Sequence, residues 1–307
     1  KWNTKNKMKE RILITGANGK IAKRLFDVLK ENYDIRFLSR LKKQKNEFVW
    51  DIERNYIDKS AIEGVHHIIH LSGSSIGGGY WTKKRKQKII SSRVQSAHLL
   101  LRAVKERDLK LKTFISASAV GYYGTAPLDK EFTENDVKGE GFLSEVCEKW
   151  EESADDFMTE TLSERVVKLR IGIVLSKEGG FLSALQKVAR YYVATSFGNG
   201  KQYIPWIHID DICGICHFAL ENKNMSGVFN AVAPHPVTNK TFVEKVTRIM
   251  KKNRYIPPIP SLILKLVFGE MSVLFLAGNR ISTQKLQDKG YQYKYSDIDE
   301  ALKNLIT

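Results

Sequence analysis

The amino-acid sequence predicts an α/β protein built on a doubly wound parallel sheet and followed by a smaller C-terminal lobe. Short apolar segments alternate with amphipathic helical segments from the first strand to about residue 176, and a glycine-rich turn follows the first strand. The composition agrees with this fold class, because 42% of the 307 residues are hydrophobic and 27% are charged, as in ordinary globular chains.

Each predicted strand is a short apolar run that ends at polar residues. The predicted strands cover 11–15, 34–39, 48–51, 65–71, 113–116 and 166–174. Helices are predicted between them, after the glycine turn, over 82–106 and around 145–157, where apolar residues recur at helical spacing. Because strands joined through helices pair in parallel, this order predicts a parallel sheet with helices on both faces.

The regular alternation stops after residue 177. A strand-like segment at 227–233 follows, and the remaining helices are rich in Lys and Leu. We therefore assign residues 8–176 and 206–233 to a nucleotide-binding domain, and residues 177–205 and 234–307 to a small substrate lobe. The apolar stretch Leu262–Ala277 contains Lys265 and Glu270, each of which costs ~3 kcal/mol at a bilayer centre, so we expect helical core and not a membrane span.

Charge and cysteine usage restrict the possible partners and compartment. Lys and Arg outnumber Asp and Glu by 50 to 34, and the resulting net charge of +16 favours an anionic ligand or surface. The three cysteines, Cys147, Cys213 and Cys216, are too few for a disulfide framework. The lysine-rich N-terminus has no apolar signal segment, so we expect a cytoplasmic protein.

The turn after the first strand has the residues that a phosphate loop requires. Gly16 permits a sharp turn, Gly19 permits close approach of a pyrophosphate, and the small Ala22 lets the following helix pack on the sheet. The N-terminus of that helix would present free N–H groups and a positive dipole to the phosphates. A tight turn without a ligand is the alternative.

The end of the second strand indicates which dinucleotide binds. An acidic residue there would bind the ribose hydroxyls of NAD, whereas cations accommodate the 2′-phosphate of NADP. This chain has Ser39 and Arg40, followed by Lys42 and Lys43. We therefore expect NADP in preference to NAD, with a solvated basic loop as the alternative.

Together with later segments, these residues resemble the extended short-chain dehydrogenase/reductase superfamily, and more narrowly its epimerase family proteins. The segments that carry the resemblance are TGANGKIA (15–22), HLSGSSIGGGYWTKKRKQKIISSR (70–93), SASAVGYYG (116–124), FLSEVCEKWE (142–151), LRIGIVLSKEGG (169–180), IPWIHIDDI (204–212), FNAVAPHPVTNKTF (229–242), and the C-terminal GNRIST and GYQY. The resemblance implies an NADP-binding Rossmann core with a small C-terminal substrate lobe.

The resemblance also implies roles for individual residues. The pyrophosphate would meet Gly16, Asn18, Gly19, Lys20 and Ile21. The 2′-phosphate would meet Arg40 beside Ser39, and the adenine would meet Asp51 and Ile52. The nicotinamide-side ribose would be lined by Leu71, Ser72 and Gly73.

The usual catalytic residues of that superfamily are only partly present. Typical members place a Ser or Thr at the end of strand five and a Tyr-x-x-x-Lys pair on the next helix, where the lysine lowers the pKa of the phenol. Ser116 and Ser118 fit the first element, but the helix reads FLSEVCE over 142–148 and has no such pair. We expect Ser118 to polarise the substrate oxygen, with Tyr122 or Tyr123 as proton donor. Aromatic packing is the alternative for both tyrosines.

Several other residues are candidates for substrate binding or for structure. The resemblance suggests that Arg280 holds an anionic substrate group. His208 could point toward the cleft, with a packed core histidine as the alternative. We expect Asp211 to cap a helix. For Arg93 we expect a surface ion pair, with bracing of the active-site loop or contact with an anionic substrate as the alternatives.

Two patterns with a possible ligand have simpler interpretations. Cys213, Cys216 and His217 lie on one short helix, so we interpret them as buried helix residues and predict no metal site. The basic run at 82–88 lies on a predicted helix and is not part of a recognised nucleic-acid-binding motif. We therefore interpret it as a solvated helix face and expect no nucleic-acid partner.

These observations predict an NADP-dependent oxidoreductase or epimerase-like enzyme that acts on a small polar metabolite, as a monomer or homodimer without a membrane partner. Because the Tyr-Lys pair is absent, the alternative is a nucleotide-binding regulator or redox sensor that has lost turnover.

Overall fold

The computed structural model describes residues 9–126, 128–252 and 256–307, and its centre is an eight-stranded sheet. Met8, the first residue of the predicted nucleotide-binding domain, lies outside the described residues. The strands are β1 (Arg11–Thr15), β2 (Asp34–Ser39), β3 (Glu47–Asp51), β4 (Tyr56–Ile57), β5 (His67–His70), β6 (Thr113–Ala119), β7 (Glu131–Phe132), β8 (Val166–Ile171), β9 (Ile173–Leu175), β10 (Tyr203–Ile204), β11 (Trp206–His208), β12 (Gly227–Ala231), β13 (Val237–Thr238) and β14 (Arg280–Ile281). The helices are α1 (Lys20–Leu29), α2 (Lys83–Glu106), α3 (Phe142–Thr159), α4 (Gly180–Arg190), α5 (Ile209–Glu221), α6 (Asn239–Ile249), α7 (Ser261–Phe268), α8 (Val273–Leu276), α9 (Gln284–Asp288) and α10 (Ile298–Ile306).

The main sheet has the strand order β12-β8-β6-β5-β1-β2-β3-β4. Neighbouring strands are parallel, except that β4 runs antiparallel to β3 at one edge. From β1 the chain extends the sheet outward through β2 and β3, and it then returns to β5 on the other side of β1. The predicted doubly wound parallel sheet is confirmed, and its topological switch point lies between β1 and β5, where such sheets bind ligands.

Helices cover both faces of this sheet, as the alternation predicts. On one face α1 packs beside α5, and their buried side chains include Leu25 and Ile212. On the other face α2 packs beside α3, with Leu100 and Phe157 in the core. Each fully buried side chain of this size contributes about 1.5–3 kcal/mol through the hydrophobic effect.

A second apolar core lies in the C-terminal lobe. It is formed by α4, α6 and α10 around the fully buried side chains of Trp206 and Phe242. Helix α9 also belongs to the C-terminal part of the chain, but its Leu286 is buried in the core of the main sheet. The lobe is thus joined to the sheet by shared packing, and the residue boundaries of the two domains stay a prediction.

The apolar stretch Leu262–Ala277 differs from its prediction. It is helical, as α7, a 3₁₀ turn and α8, but it is not core: Leu262 is 66% exposed and Leu266 is 77% exposed. Leu264 is the residue of α7 that faces inward. Within the described parts of the chain, no helix combines the length and the apolarity needed to cross a membrane.

Gly172 divides the strand predicted over 166–174 into β8 and β9. The amide of Gly172 donates to the carbonyl oxygen of Ala231 (3.0 Å), whereas the amide of Ile173 donates to that of Pro205 (2.7 Å). The chain therefore leaves the main sheet at this residue and pairs with β11 instead. A Cβ atom at position 172 would lie 2.1 Å from the Pro205 oxygen, so the close approach requires glycine.

Gly172→Ala should destabilise the fold, because the added methyl group forces the two segments apart. We expect the free energy of unfolding to fall by about 1–3 kcal/mol, measured by urea denaturation. Gly77→Ala is the control, since a Cβ there meets no heavy atom within 4 Å. Equal stability of the two variants would contradict the proposed role of Gly172.

Candidate functional site

The turn between β1 and α1 has the geometry of a phosphate loop. Gly16 adopts a φ of 78°, and its carbonyl oxygen accepts a hydrogen bond from the amide of Gly19 (2.7 Å). Gly19 is the N-cap residue of α1, and no side chain of the described residues caps that end. The first N–H groups of α1 are thus available to an anion, and the buried Ala22 lets the helix lie close to the sheet.

Thr15, the last residue of β1, connects this turn to the end of β5. Its Oγ1 accepts hydrogen bonds from the amides of Leu71 (2.9 Å) and Ser72 (3.1 Å) and lies 3.0 Å from Nδ1 of His70. With two donors already on that oxygen, the hydroxyl donates to Nδ1, and the neutral imidazole then donates from Nε2 to Ser96 Oγ (3.1 Å) on α2. This chain of hydrogen bonds fixes the loop 71–73 against the phosphate loop.

His70 is completely buried, and this burial lowers its pKa to about 4. In the unfolded chain an ordinary histidine has a pKa near 6.5, so acid protonates the unfolded state first. The contribution of neutral His70 to stability is therefore complete above about pH 6.5 and is lost as the pH falls toward 4.

Acidification should lower the free energy of unfolding of this protein by more than it lowers that of a His70→Gln variant. Between pH 7 and pH 5 we expect His70 to account for a decrease of about 2 kcal/mol in the free energy of unfolding. Urea denaturation at the two pH values measures this decrease. The contributions of all other titratable residues are common to both proteins and cancel in the comparison. Parallel pH profiles for the two proteins would contradict a neutral buried His70.

The segment after β2 is shaped by an acidic residue that sequence reasoning missed. Glu47 is buried, and its Oε2 accepts a hydrogen bond from the amide of Lys43 (2.8 Å) and lies 3.4 Å from Ser39 Oγ. Ser39 therefore shapes the turn. Arg40 and Lys42 are exposed, and within the described residues neither forms an ion pair. No sequence signal marks Glu47, because its role depends on the loop that folds around it.

The residues expected at the adenine lie at the end of β3. The carboxylate of Asp51 accepts a hydrogen bond from the amide of Arg54 (3.1 Å), and Ile52 packs on the edge of the adjacent apolar core. Both are close in the fold to the segment after β2, because β2 and β3 are paired. Their contact with an adenine stays a prediction.

Arg93 supports the loop after β5 and does not form the surface ion pair expected from the sequence. It is buried, donates from Nη1 to the carbonyl oxygens of Ser74 (3.1 Å) and Ile89 (2.9 Å), and lies over the ring of Trp150 at 4.7 Å. Burial lowers its pKa to about 10, which still leaves the guanidinium charged at neutral pH. Gly73 lies directly on it, since a Cβ there would come 2.8 Å from the guanidinium carbon.

Beyond the ends of β6 and β8 lies a cleft with a volume of about 750 Å³, between the sheet and the C-terminal lobe. Its walls are mainly apolar and include Trp81, Phe142, Leu143, Ile173, Leu274 and Ile281. Lys86 of α2 and Glu270 of the C-terminal lobe form an ion pair across the lobes and also line the cleft. The cleft is thus a largely apolar cavity bounded on one side by a charge pair.

Leu143 and Cys147 occupy the positions on α3 that face the cleft with the spacing of a Tyr-x-x-x-Lys pair. Burial raises the pKa of the Cys147 thiol to about 12, so it is neutral at physiological pH. Neither residue can supply the cation that a catalytic phenol needs.

Ser118 lies at the end of β6, where the sequence predicted it, but its hydroxyl is already engaged. It donates to Oε1 of Glu151 (2.7 Å), and Glu151 is paired with Arg170 through two hydrogen bonds of 2.9 and 3.0 Å. All three residues are buried. This network joins α3 to β6 and β8 beneath the cleft. Ser118 is not among the residues that line the cleft, and its only hydrogen is donated to Glu151, so the geometry does not match the expected polarisation of a substrate oxygen.

The tyrosines predicted as proton donors do not line the cleft. Tyr123 is buried; its hydroxyl donates to Asn230 Oδ1 (2.6 Å) and accepts from Arg170 (3.0 Å), and burial raises its pKa to about 12. The ring of Tyr122 lies 3.4 Å from the guanidinium carbon of Arg170. Both therefore pack around Arg170, as in the aromatic-packing alternative.

Glu151→Gln should strongly destabilise the fold, because it leaves the charge of Arg170 buried without its partner. We expect a loss of about 3–5 kcal/mol in the free energy of unfolding, measured by urea denaturation. Glu148→Gln, on the same helix, removes only a solvent-exposed pair with Lys138 and should cost far less. A loss at Glu151 as small as that at Glu148 would contradict a buried pair.

The two residues predicted to bind substrate are not among the residues that line the cleft. His208 is 1% exposed; its Nδ1 accepts from the amide of Asp210 (3.0 Å), and its Nε2 lies 3.3 Å from Asn304 Oδ1. Burial lowers its pKa, and it caps α5, so it is a structural histidine. Arg280 lies against Glu131 (3.7 Å) and over the ring of Tyr203, outside the lining of the cleft.

The cap predicted at Asp211 is thus formed by His208 instead. Asp211 is buried, and its carboxylate accepts hydrogen bonds from the amides of Lys294 (2.7 Å) and Tyr295 (3.0 Å). It therefore ties the C-terminal segment to α5. Cys213 and Cys216 are buried on the same helix, packed in the core as expected.

Comparisons with known proteins agree with this architecture. Residues 12–140 match the model of the NAD dependent epimerase/dehydratase family, and residues 259–305 match a domain of unknown function, DUF1731. The chain is 33% identical to the epimerase family protein YfhF of Bacillus subtilis over 301 residues, which cover 96% of this chain and 97% of that protein. It is also 33% identical to the epimerase family protein ML0860 of Mycobacterium leprae over 295 residues, which cover 95% and 94% of the two chains.

Solved structures show the same fold. The human epimerase family protein SDR39U1 (isoform 2) with NADPH is 28% identical, with a TM-score of 0.85 over 96% of this chain and 98% of that chain. A nucleoside-diphosphate sugar epimerase from Corynebacterium glutamicum is 28% identical, with a TM-score of 0.77 over 96% of this chain and 57% of that chain. Both similarities extend over the sheet and the C-terminal lobe.

Proposed function

Since this chain belongs to the epimerase family of the extended short-chain dehydrogenases/reductases, we propose that it is an NADP(H)-dependent oxidoreductase or epimerase acting on a small molecule in the cleft. The observation that carries the proposal is the phosphate loop at the switch point of the sheet, with the N-terminus of α1 left without a side-chain cap among the described residues. The human relative solved with NADPH supports the choice of cofactor class.

The residues around this loop fit a dinucleotide. The backbone of Gly16 and Gly19 and the first amides of α1, including that of Ile21, would hold the pyrophosphate, with Asn18 and Lys20 beside them. Lys20 begins α1, where a cation opposes the helix dipole, and a bound phosphate would offset that repulsion. Burial lowers the pKa of Lys20, and its Nζ lies near the turn at Gly179 and Gly180.

Arg40 supports NADP over NAD. Its guanidinium is exposed and forms no ion pair within the described residues, and Glu47, the nearby acid, is buried and hydrogen-bonded to the turn. NADP is favoured over NAD where a cation such as Arg40 can bind the 2′-phosphate and where the nearby acid, here Glu47, does not face the ribose hydroxyls.

The chain's own contribution to the reaction is mainly positioning and exclusion of water. A bound nicotinamide dinucleotide would supply or accept a hydride. Leu71, Ser72 and Gly73, fixed by Thr15, would hold the nicotinamide-side ribose near the cleft, and the apolar walls would keep water from the reacting carbon. Ser118 gives its one hydroxyl hydrogen to Glu151, so in this arrangement it has none to donate to a substrate oxygen.

A nucleotide-binding regulator or redox sensor is the second candidate, and the presence of Leu143 and Cys147 in the cleft favours it. Purified protein incubated with NADPH and a panel of carbonyl compounds separates the two functions. Loss of nicotinamide absorbance with at least one carbonyl supports the enzyme, whereas tight binding without loss supports the sensor. The cytoplasmic location and the monomeric or dimeric state stay predictions.

Arg40→Glu should weaken NADPH selectively, because it replaces a cation at the 2′-phosphate with an anion. By calorimetry we expect the Kd for NADPH to rise by about 10- to 100-fold, and that for NADH by less than about twofold. Arg190→Glu makes the same charge change at an exposed site on α4 and is the control. Equal weakening of NADPH by both variants would contradict a specific contact at Arg40.

A further inference from the structure

The chemistry of the cleft wall indicates which compounds it can accept. Aromatic and aliphatic side chains from α2, α3 and the C-terminal lobe dominate the lining. Thr125 and Asn279 add uncharged polar groups; the Asn279 amide is turned to the carbonyl oxygen of Gly124 (2.7 Å). A cavity of this kind binds apolar ligands through the hydrophobic effect, because binding removes apolar surface of the ligand and of the cavity from water.

The charged residues of the lining do not provide an anion site. They are Lys86, Glu140 and Glu270 among the described residues, so acids outnumber cations there. Lys86 is already paired with Glu270, and Glu140 is exposed. A nucleoside diphosphate would bring two further negative charges to this wall, where they would face two carboxylates and a cation that is already paired.

The arginines that could bind a diphosphate are used elsewhere. Arg280, the expected anion-binding residue, lies against Glu131 and the ring of Tyr203. Arg93 is buried beneath Gly73 and donates to two backbone carbonyl oxygens. Arg93 would lose two buried hydrogen bonds on moving to the cleft, and Arg280 would have to leave its half-exposed pair with Glu131.

We propose that the cleft takes a neutral, mainly apolar compound bearing a carbonyl or hydroxyl group, and not a nucleoside-diphosphate sugar. This inference rests on the proposed function, because it names the substrate class of the same cleft. It replaces the polar metabolite expected from the sequence. An anion buried against this wall would lose its hydration without gaining a cationic partner. An apolar ring would instead gain binding free energy, because each contact removes apolar surface from water.

The test compares three probes on the full chain, with and without NADP⁺, by saturation-transfer NMR titration. The probes are 4-methylbenzaldehyde, its anionic counterpart 4-carboxybenzaldehyde, and UDP-glucose. We expect the neutral aldehyde to bind at least about tenfold more tightly than the carboxylate, and UDP-glucose to show no saturable binding while NADP⁺ occupies the phosphate loop. Comparable binding of the two aldehydes, or tighter binding of UDP-glucose, would overturn the proposal.

A matched pair of variants locates the binding in the cleft. Leu274→Asp places a carboxylate in the wall, whereas Leu266→Asp makes the same change on the exposed face of α7. We expect the first variant to weaken 4-methylbenzaldehyde by at least about tenfold and the second by less than about twofold. Equal effects would overturn the proposal, and the probe comparison on the unmodified chain decides it even if Leu274→Asp does not fold.

Failure of this inference can be told apart from failure of the proposed function. Calorimetry with NADPH tests the cofactor site alone, and the titrations of the two aldehydes, which carry no phosphate for the loop after β1, test the cleft alone. A chain that binds NADPH but prefers UDP-glucose keeps the proposed function and loses this inference.

Discussion

The hydroxyl of Thr15 holds the ends of β1 and β5 together, and the rest of the nucleotide site depends on this junction. It accepts the amides of Leu71 and Ser72 and donates to His70, so the loop after β5 is fixed relative to the phosphate loop. Because the two strands flank the switch point of the sheet, the same contact determines where a pyrophosphate and a nicotinamide-side ribose would lie relative to each other. A neutral His70 is required, since a charged imidazole could not accept the Thr15 hydrogen.

The fold was predictable because a parallel sheet covered on both faces requires a distinct pattern of residues. Its strands must be short apolar runs, its crossovers must be amphipathic, and its first turn must contain glycine; all three features are local in the sequence. Two features of the fold differ from the prediction. Gly172 divides a predicted strand because Pro205, distant in the sequence, approaches it, and α7 is exposed although its sequence is apolar.

The candidate site was predictable only in part. The positions of the glycines and of Ser118 follow from the strand ends on which they lie. The partners of Tyr123, His208 and Asp211 do not, because Asn230, Asn304 and Lys294 are each about 80 or more residues away in the chain. Residue type alone could not show whether these polar groups face the cleft or pair with one another inside the protein.

The structure separates positioning from proton transfer more than the superfamily's usual arrangement does. The charged and hydroxyl groups near α3 form a closed network beneath the cleft, from Ser118 through Glu151 to Arg170. Leu143 and Cys147 present apolar surface where a phenol and an ammonium would otherwise stand. In the proposed function, α3 therefore contributes apolar binding surface and no phenol–ammonium pair.

Binding of a dinucleotide through the turn after β1 can be followed residue by residue in a titration with NADPH monitored by backbone amide NMR. We expect saturable shifts to concentrate on the amides of residues 16–21 and 71–73, with smaller changes after β2. Absence of saturable shifts, or shifts confined to other parts of the chain, would contradict it.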